Sequence, residues 1–121
     1  MKLCWITITV KDMEKSLHFY QKVTGLDISR KLKSGPDMEI TFLGSGETKV
    51  ELICNKNAGD ITSGNNISLG FEVDSLDQTL ELLKKENIPL YSGPFQPMPS
   101  IKFFYVLDPD GVKIQFVENI K

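Results

Sequence analysis

The sequence predicts an α+β fold made of two βαβββ modules, on three observations. First, Trp5-Ile-Thr-Ile-Thr-Val-Lys-Asp-Met-Glu-Lys-Ser-Leu17 aligns without gaps on Ser68-Leu-Gly-Phe-Glu-Val-Asp-Ser-Leu-Asp-Gln-Thr-Leu80 at a constant offset of 63. A unit that recurs once suggests two packed copies, because a single copy of about 60 residues could hardly bury a core alone. Second, each copy runs from an alternating strand through a helix cap into an amphipathic helix. Third, the chain closes on a hairpin around Asp108-Pro-Asp-Gly111. The 121 residues are therefore read as one domain: module one about 1–56, a linker about 57–65 and module two about 66–121.

The first strand sets Cys4, Ile6, Ile8 and Val10 on one face and Leu3, Trp5, Thr7 and Thr9 on the other. Asp12 is a good N-cap, Glu14 suits the first turn, and Met13, Leu17 and Tyr20 form an apolar stripe over a helix at about 12–24. Gly25 ends that helix in a left-handed position. Strands follow around 26–33, 38–43 and 48–54, punctuated by Gly35-Pro36 and Gly44-Ser-Gly46. In the last of these Val50, Leu52 and Cys54 are expected in the core, which turns Lys49, Glu51 and Ile53 the other way.

The second copy opens with a strand at 67–73. Ser75 with Gln78 makes a capping box, and Leu76, Leu80 and Leu83 continue the stripe over a helix at about 75–87. A short strand near 88–91 is expected to lead into a semi-rigid loop at 92–100, whose three prolines forbid regular ladder pairing. The final strands, 101–107 and 112–118, flank a type I turn with a glycine bulge. That register puts Tyr105 opposite Gln115 and Leu107 opposite Lys113, and leaves Phe104, Val106, Ile114 and Phe116 for the core. Lys49 and Lys113 are expected at strand ends in solvent.

Bulk properties narrow the function classes. A formal charge of −2 and a pI near 5.4 offer nothing to nucleic acid or an anionic membrane. The longest apolar runs, such as 103–107, fall far short of a membrane span. The N-terminus leads straight into a strand, so no signal peptide is expected. Cys4 and Cys54 read as reduced core residues, which fits a cytoplasmic protein. Phosphate-loop, dinucleotide, Cys-x-x-Cys and nucleophile-elbow patterns are all missing from the sequence.

The run Thr9-Val-Lys-Asp-Met-Glu-Lys-Ser-Leu-His-Phe-Tyr20, with Gly25-Leu26, Val50-Glu-Leu52 and Asp108-Pro-Asp-Gly111, resembles the glyoxalase/bleomycin-resistance/dioxygenase family, the vicinal oxygen chelate superfamily. The resemblance covers essentially the whole chain. It implies the glyoxalase/bleomycin resistance/dihydroxybiphenyl dioxygenase fold, with mixed sheets curled around a cleft, helices outside, and commonly a homodimer. It also implies where a metalloenzyme of the family holds its divalent ion. Those four positions here are Trp5, Glu51, Ser68 and Gln115. Tryptophan offers a metal no lone pair, a neutral serine hydroxyl is a poor ligand and a glutamine carbonyl a moderate one. Only Glu51 is competent, and the sole histidine, His18, falls on a helix.

The cleft is accordingly expected to be lined by Trp5, Thr7, Glu51, Ser68, Tyr105 and Gln115, with no metal and no cofactor. Glu51 is the one catalytic candidate, as a general base or ligand-orienting carboxylate, against the bland reading of a solvated strand charge. The leading expectation is a small-molecule binding protein that forms a homodimer. A glyoxalase-like lyase or isomerase using Glu51, of the lactoylglutathione lyase type, is the alternative, and a dimeric interaction module the third. A neutral cleft with an aromatic wall and one carboxylate is expected to prefer an uncharged or cationic ligand, unless a nearby lysine compensates.

Overall fold

The computed structural model describes residues 1–62, 64 and 66–120. The chain divides into two compact units, Met1–Thr62 and Ser63–Lys121. Each is a four-stranded mixed sheet with one helix.

In the first unit the elements are β1 (Trp5–Thr9), α1 (Met13–His18), β2 (Ile28–Lys33), β3 (Met38–Leu43) and β4 (Lys49–Asn55). The sheet order is β1-β4-β3-β2, with β1 parallel to β4 and the other pairs antiparallel. The Asp12 carboxylate accepts the Lys15 N–H at 3.2 Å and starts α1. After His18 the helix widens into a π-helical turn, Phe19–Val23. This turn lets Phe19, Tyr20 and Val23 all be buried. The Leu26 N–H returns to the Tyr20 carbonyl at 3.0 Å, and Gly25 supplies the left-handed residue with φ of 74°.

The second unit repeats the scheme with β5 (Ser68–Glu72), α2 (Leu76–Lys85), β6 (Ser92–Met98), β7 (Ile101–Leu107) and β8 (Lys113–Asn119), in the order β5-β8-β7-β6. The Ser75 hydroxyl accepts the Gln78 N–H at 3.2 Å, as the capping box requires. Glu118, on β8, adds a second cap by accepting the Leu76 N–H at 2.8 Å, which ties the helix to the sheet it covers.

In both units the helix lies against one face of the sheet, α1 on β4 and α2 on β8. Val10, Leu43, Leu52 and Tyr20 fill the first core, and Leu83, Phe104, Val106, Ile114 and Phe116 the second. Burying each such side chain contributes about 1.5–3 kcal/mol. The strand alternation is thereby confirmed, including Tyr105 opposite Gln115 and Leu107 opposite Lys113.

Three expectations need correction. The short strand near 88–91 is absent, and the proline loop at 92–100 is instead mostly strand β6. It pairs with β7 only at Ser92, Phe95 and Met98, with register shifts between them. Those shifts keep Pro94 and Pro97 out of the ladder, which an edge strand tolerates. The cysteines are not core residues: both are free, Cys4 is exposed and Cys54 half-buried. Cys4 lies one residue before β1 begins. Lys49 and Lys113 are not fully solvated either. Both are half-buried, and the Lys113 ammonium sits 4.8 Å from the Tyr105 ring centroid. Of the expected linker, Ser63 and Asn65 lie outside the described residues; the other residues of 57–65 form neither helix nor strand.

The closing turn gives a test of its own. The buried Asp108 carboxylate accepts the N–H groups of Asp110 at 2.9 Å and Val112 at 2.8 Å. Asp108→Ala is expected to lower unfolding free energy by about 1–3 kcal/mol through the two orphaned donors, whereas Asp108→Asn, which keeps an acceptor oxygen, loses less than half of that. Urea denaturation of the two variants measures it. Equal losses would contradict the assigned role.

Candidate functional site

Each sheet has a face that its helix does not cover, and parity decides what stands there. In the first unit Trp5 and Thr7 on β1 share that face with Lys49 and Glu51 on β4 and with Phe42 on β3. Thr7 and Glu51 are register partners, and the Thr7 hydroxyl donates to the Glu51 carboxylate. Trp5 meets Phe42 edge-on, with ring centroids 5.4 Å apart. Trp5 is 48% exposed and Phe42 only 8%, so Phe42 forms the floor and Trp5 a standing wall.

In the second unit the corresponding face carries Ser68 on β5, Gln115 on β8 and Tyr105 on β7. The Gln115 amide donates to the Tyr105 hydroxyl at 3.3 Å. Its Oε1 lies over Gly70, close enough that a Cβ there would approach it to 3.1 Å. Gly70 thus gives the glutamine room to lie along the sheet.

The six candidate residues are therefore gathered in two groups, Trp5 with Thr7 and Glu51, and Ser68 with Tyr105 and Gln115. Each group stands on the uncovered face of its own unit. Thr7 anchors the carboxylate rather than lining space alone. Phe42, Arg30 and Gly70 belong to the same surfaces and were missed. Alternation in 38–43 already placed Phe42 beside Ile40, a signal that was available. His18 is exposed on its helix, as expected.

The two groups are equivalent by position. Thr7, Glu51, Phe42 and Arg30 form one row across the first sheet. Gly70, Gln115, Tyr105 and Ser92 form the matching row across the second. The same place in the sheet holds a carboxylate in one unit and an amide in the other.

A family model described as the glyoxalase/bleomycin resistance protein/dioxygenase superfamily matches residues 2–116. The chain belongs to that superfamily. It is 33% identical to a lactoylglutathione lyase of Neisseria meningitidis, over 98% of this chain and 91% of that protein. It is 34% identical to a lactoylglutathione lyase of Oryza sativa, over 97% of this chain but only 44% of the rice protein's length. Among solved structures it resembles the trypanothione-dependent glyoxalase I of Leishmania major, with a TM-score of 0.84 at 22% identity, covering 98% of this chain and 86% of that one. It also resembles TnmS3, an antibiotic binding protein from Streptomyces, with a TM-score of 0.76 at 19% identity, covering 98% of this chain and 96% of that one. These likenesses support the two-module fold.

The family's metal positions can now be tested against their surroundings. Trp5 brings an indole, Ser68 an exposed neutral hydroxyl, and Gln115 an amide already bonded to Tyr105. Glu51 is the one anionic donor, and it is bonded to Thr7. Among the described residues of either unit, no group of three or more His, Cys, Asp or Glu side chains is placed to hold a metal. This donor set does not fit a zinc-, nickel- or iron-type ion, which takes three or four imidazole, carboxylate or thiolate ligands.

Proposed function

We propose that this chain is a small-molecule binding member of the superfamily that works without the family's metal. The observation that carries the reading is the replacement of three of four ligand positions by Trp5, Ser68 and Gln115, with the remaining carboxylate held by a threonine. A surface of this kind binds by shape and hydrogen bonding. On the open face of the first unit Trp5 and Phe42 supply apolar area and Glu51 a fixed polar group; on that of the second unit Tyr105 and Gln115 supply a hydrogen-bonded pair. Glu51 orients the ligand through the carboxylate oxygen that Thr7 leaves available.

The second reading is a lyase or isomerase like the lactoylglutathione lyases, favoured by 33% identity over nearly the whole of the Neisseria protein. Glu51 is then the acid-base group. A homodimer belongs to both readings. Among the described residues strands β2 and β6, like β1 and β5, stand at the edges of their sheets, and Leu32, Phe95 and Met98 are exposed along them. Such edges favour burial against a second copy. Cytoplasmic residence also stays within the proposal; among the described residues no helix is long and apolar enough to cross a membrane.

Two outcomes are expected. Elemental analysis of protein purified without chelator finds no stoichiometric nickel, zinc, iron or manganese, and the hemithioacetal of methylglyoxal and glutathione is not turned over with any of these ions added. Stoichiometric metal with metal-dependent turnover would establish the lyase reading instead. In sedimentation equilibrium at micromolar concentration, the mass is expected at twice the 13.6 kDa of the chain. A single species at 13.6 kDa removes the dimer.

A further inference from the structure

Strand β2 carries a register shift against β3: Ile28 faces Leu43, but Arg30 faces Phe42. Two steps along β2 thus match one step along β3, leaving Ser29 as the extra residue of a bulge. In a regular strand Ile28 and Arg30 share a face, since side chains alternate with period two. The bulge moves Arg30 to the opposite face, beside Phe42 and Trp5. Bulges commonly re-aim a side chain in this way next to a site.

The result is a cavity of about 310 Å³ within the first unit, lined by Lys2, Cys4, Trp5, Ser29, Arg30, Phe42, Glu47 and Lys49. Its floor and wall are aromatic. Its rim holds three cations, Lys2, Arg30 and Lys49, against one carboxylate, Glu47. Among the described residues none of the three cations makes an ion pair within 4.0 Å; Lys49 reaches only the Gly46 carbonyl, at 3.5 Å. Glu51, bonded to Thr7, stands on the same face two residues beyond Lys49 and is not among the residues that line the cavity.

We propose that this cavity binds a planar aromatic acid, with the ring system against Trp5 and Phe42 and the anionic head between Arg30 and Lys49. The proposal rests on the open face being the ligand site, and it names the ligand's class. Unpaired cations beside an apolar floor match a ligand with an anion at one end of a flat body, and the guanidinium can take a carboxylate with two parallel N–H bonds. A cavity of this volume lies at the small end of ligand sites, room for about two fused rings. The proposal departs from the expected preference for an uncharged or cationic ligand and takes up its exception, a nearby lysine: Lys49 lines the cavity, together with an arginine that strand parity alone could not place there.

The test uses three probes of one ring system: naphthoate, naphthalenemethanol and naphthylmethylammonium. Each is titrated calorimetrically into the chelator-treated chain. Naphthoate is expected to bind tightest, with its advantage shrinking as salt is raised. Arg30→Gln and Lys49→Gln should each weaken naphthoate about tenfold, as for loss of a charge-assisted hydrogen bond, and leave the alcohol unchanged. Arg30 is exposed, so its variant should keep the parent's thermal melting. Bound naphthoate should also slow alkylation of Cys4. No naphthoate binding at millimolar concentration, equal or tighter binding of the ammonium, indifference to Arg30→Gln, or unprotected Cys4 would each overturn the proposal. Metal found in the purified protein would remove the metal-free reading and leave the anion preference standing. Preference for the ammonium in a metal-free chain would remove the anion site alone.

Discussion

Each four-stranded sheet has a single helix, and that shortage governs the molecule. A helix about 10 Å across covers one face of a sheet, so strand alternation must sort every residue either under the helix or onto the other face. Val50 and Leu52 go under; Glu51 between them is turned out. Phe104 and Val106 go under; Tyr105 between them is turned out. The parallel pairs β1 with β4 and β5 with β8 enforce this, because a parallel neighbour must be reached by a crossover, and here the crossover includes the helix itself. The uncovered faces are left with polar and aromatic side chains such as Trp5, Glu51, Tyr105 and Gln115.

The two faces share a backbone scheme and differ in what it displays. Where the first unit has Thr7 bonded to Glu51, the second has Gly70 beneath Gln115. Where the first has Phe42 against Trp5, the second has Tyr105 with its hydroxyl on Gln115 and its ring under Lys113. One row sets Glu51 and Arg30 on either side of an aromatic ring, and the other is neutral and hydrogen-bonding.

Much of this was legible in the sequence. The caps at Asp12 and Ser75, the parity of β4, β7 and β8 and the Asp-Pro-Asp-Gly turn are local signals with local causes, and the structure keeps each of them. The placing of Trp5, Glu51, Tyr105 and Gln115 on the open faces was legible because it follows from parity. Arg30 was not, since the Ser29 bulge inverts parity where Ile-Ser-Arg gives no glycine, asparagine or proline to mark it. Strand β6 was hidden for the opposite reason: Pro94 and Pro97 read as breakers, yet the spacing of Ser92, Phe95 and Met98 lets an edge strand bond around them. Cys4 and Lys49 show the limit of alternation near strand ends, where residue parity no longer fixes exposure.

The central claim is that the uncovered face of the first unit is a binding surface that needs no metal. Chemical-shift mapping of the chelator-treated chain against a set of small aromatic acids tests it most directly. The account expects shifts at the Trp5 indole N–H, the chain's sole tryptophan, and at Thr7, Arg30 and Phe42, with none added when a divalent ion is supplied. Shifts that arise only once the metal is present, or that fall on α1 and α2 instead, would contradict it.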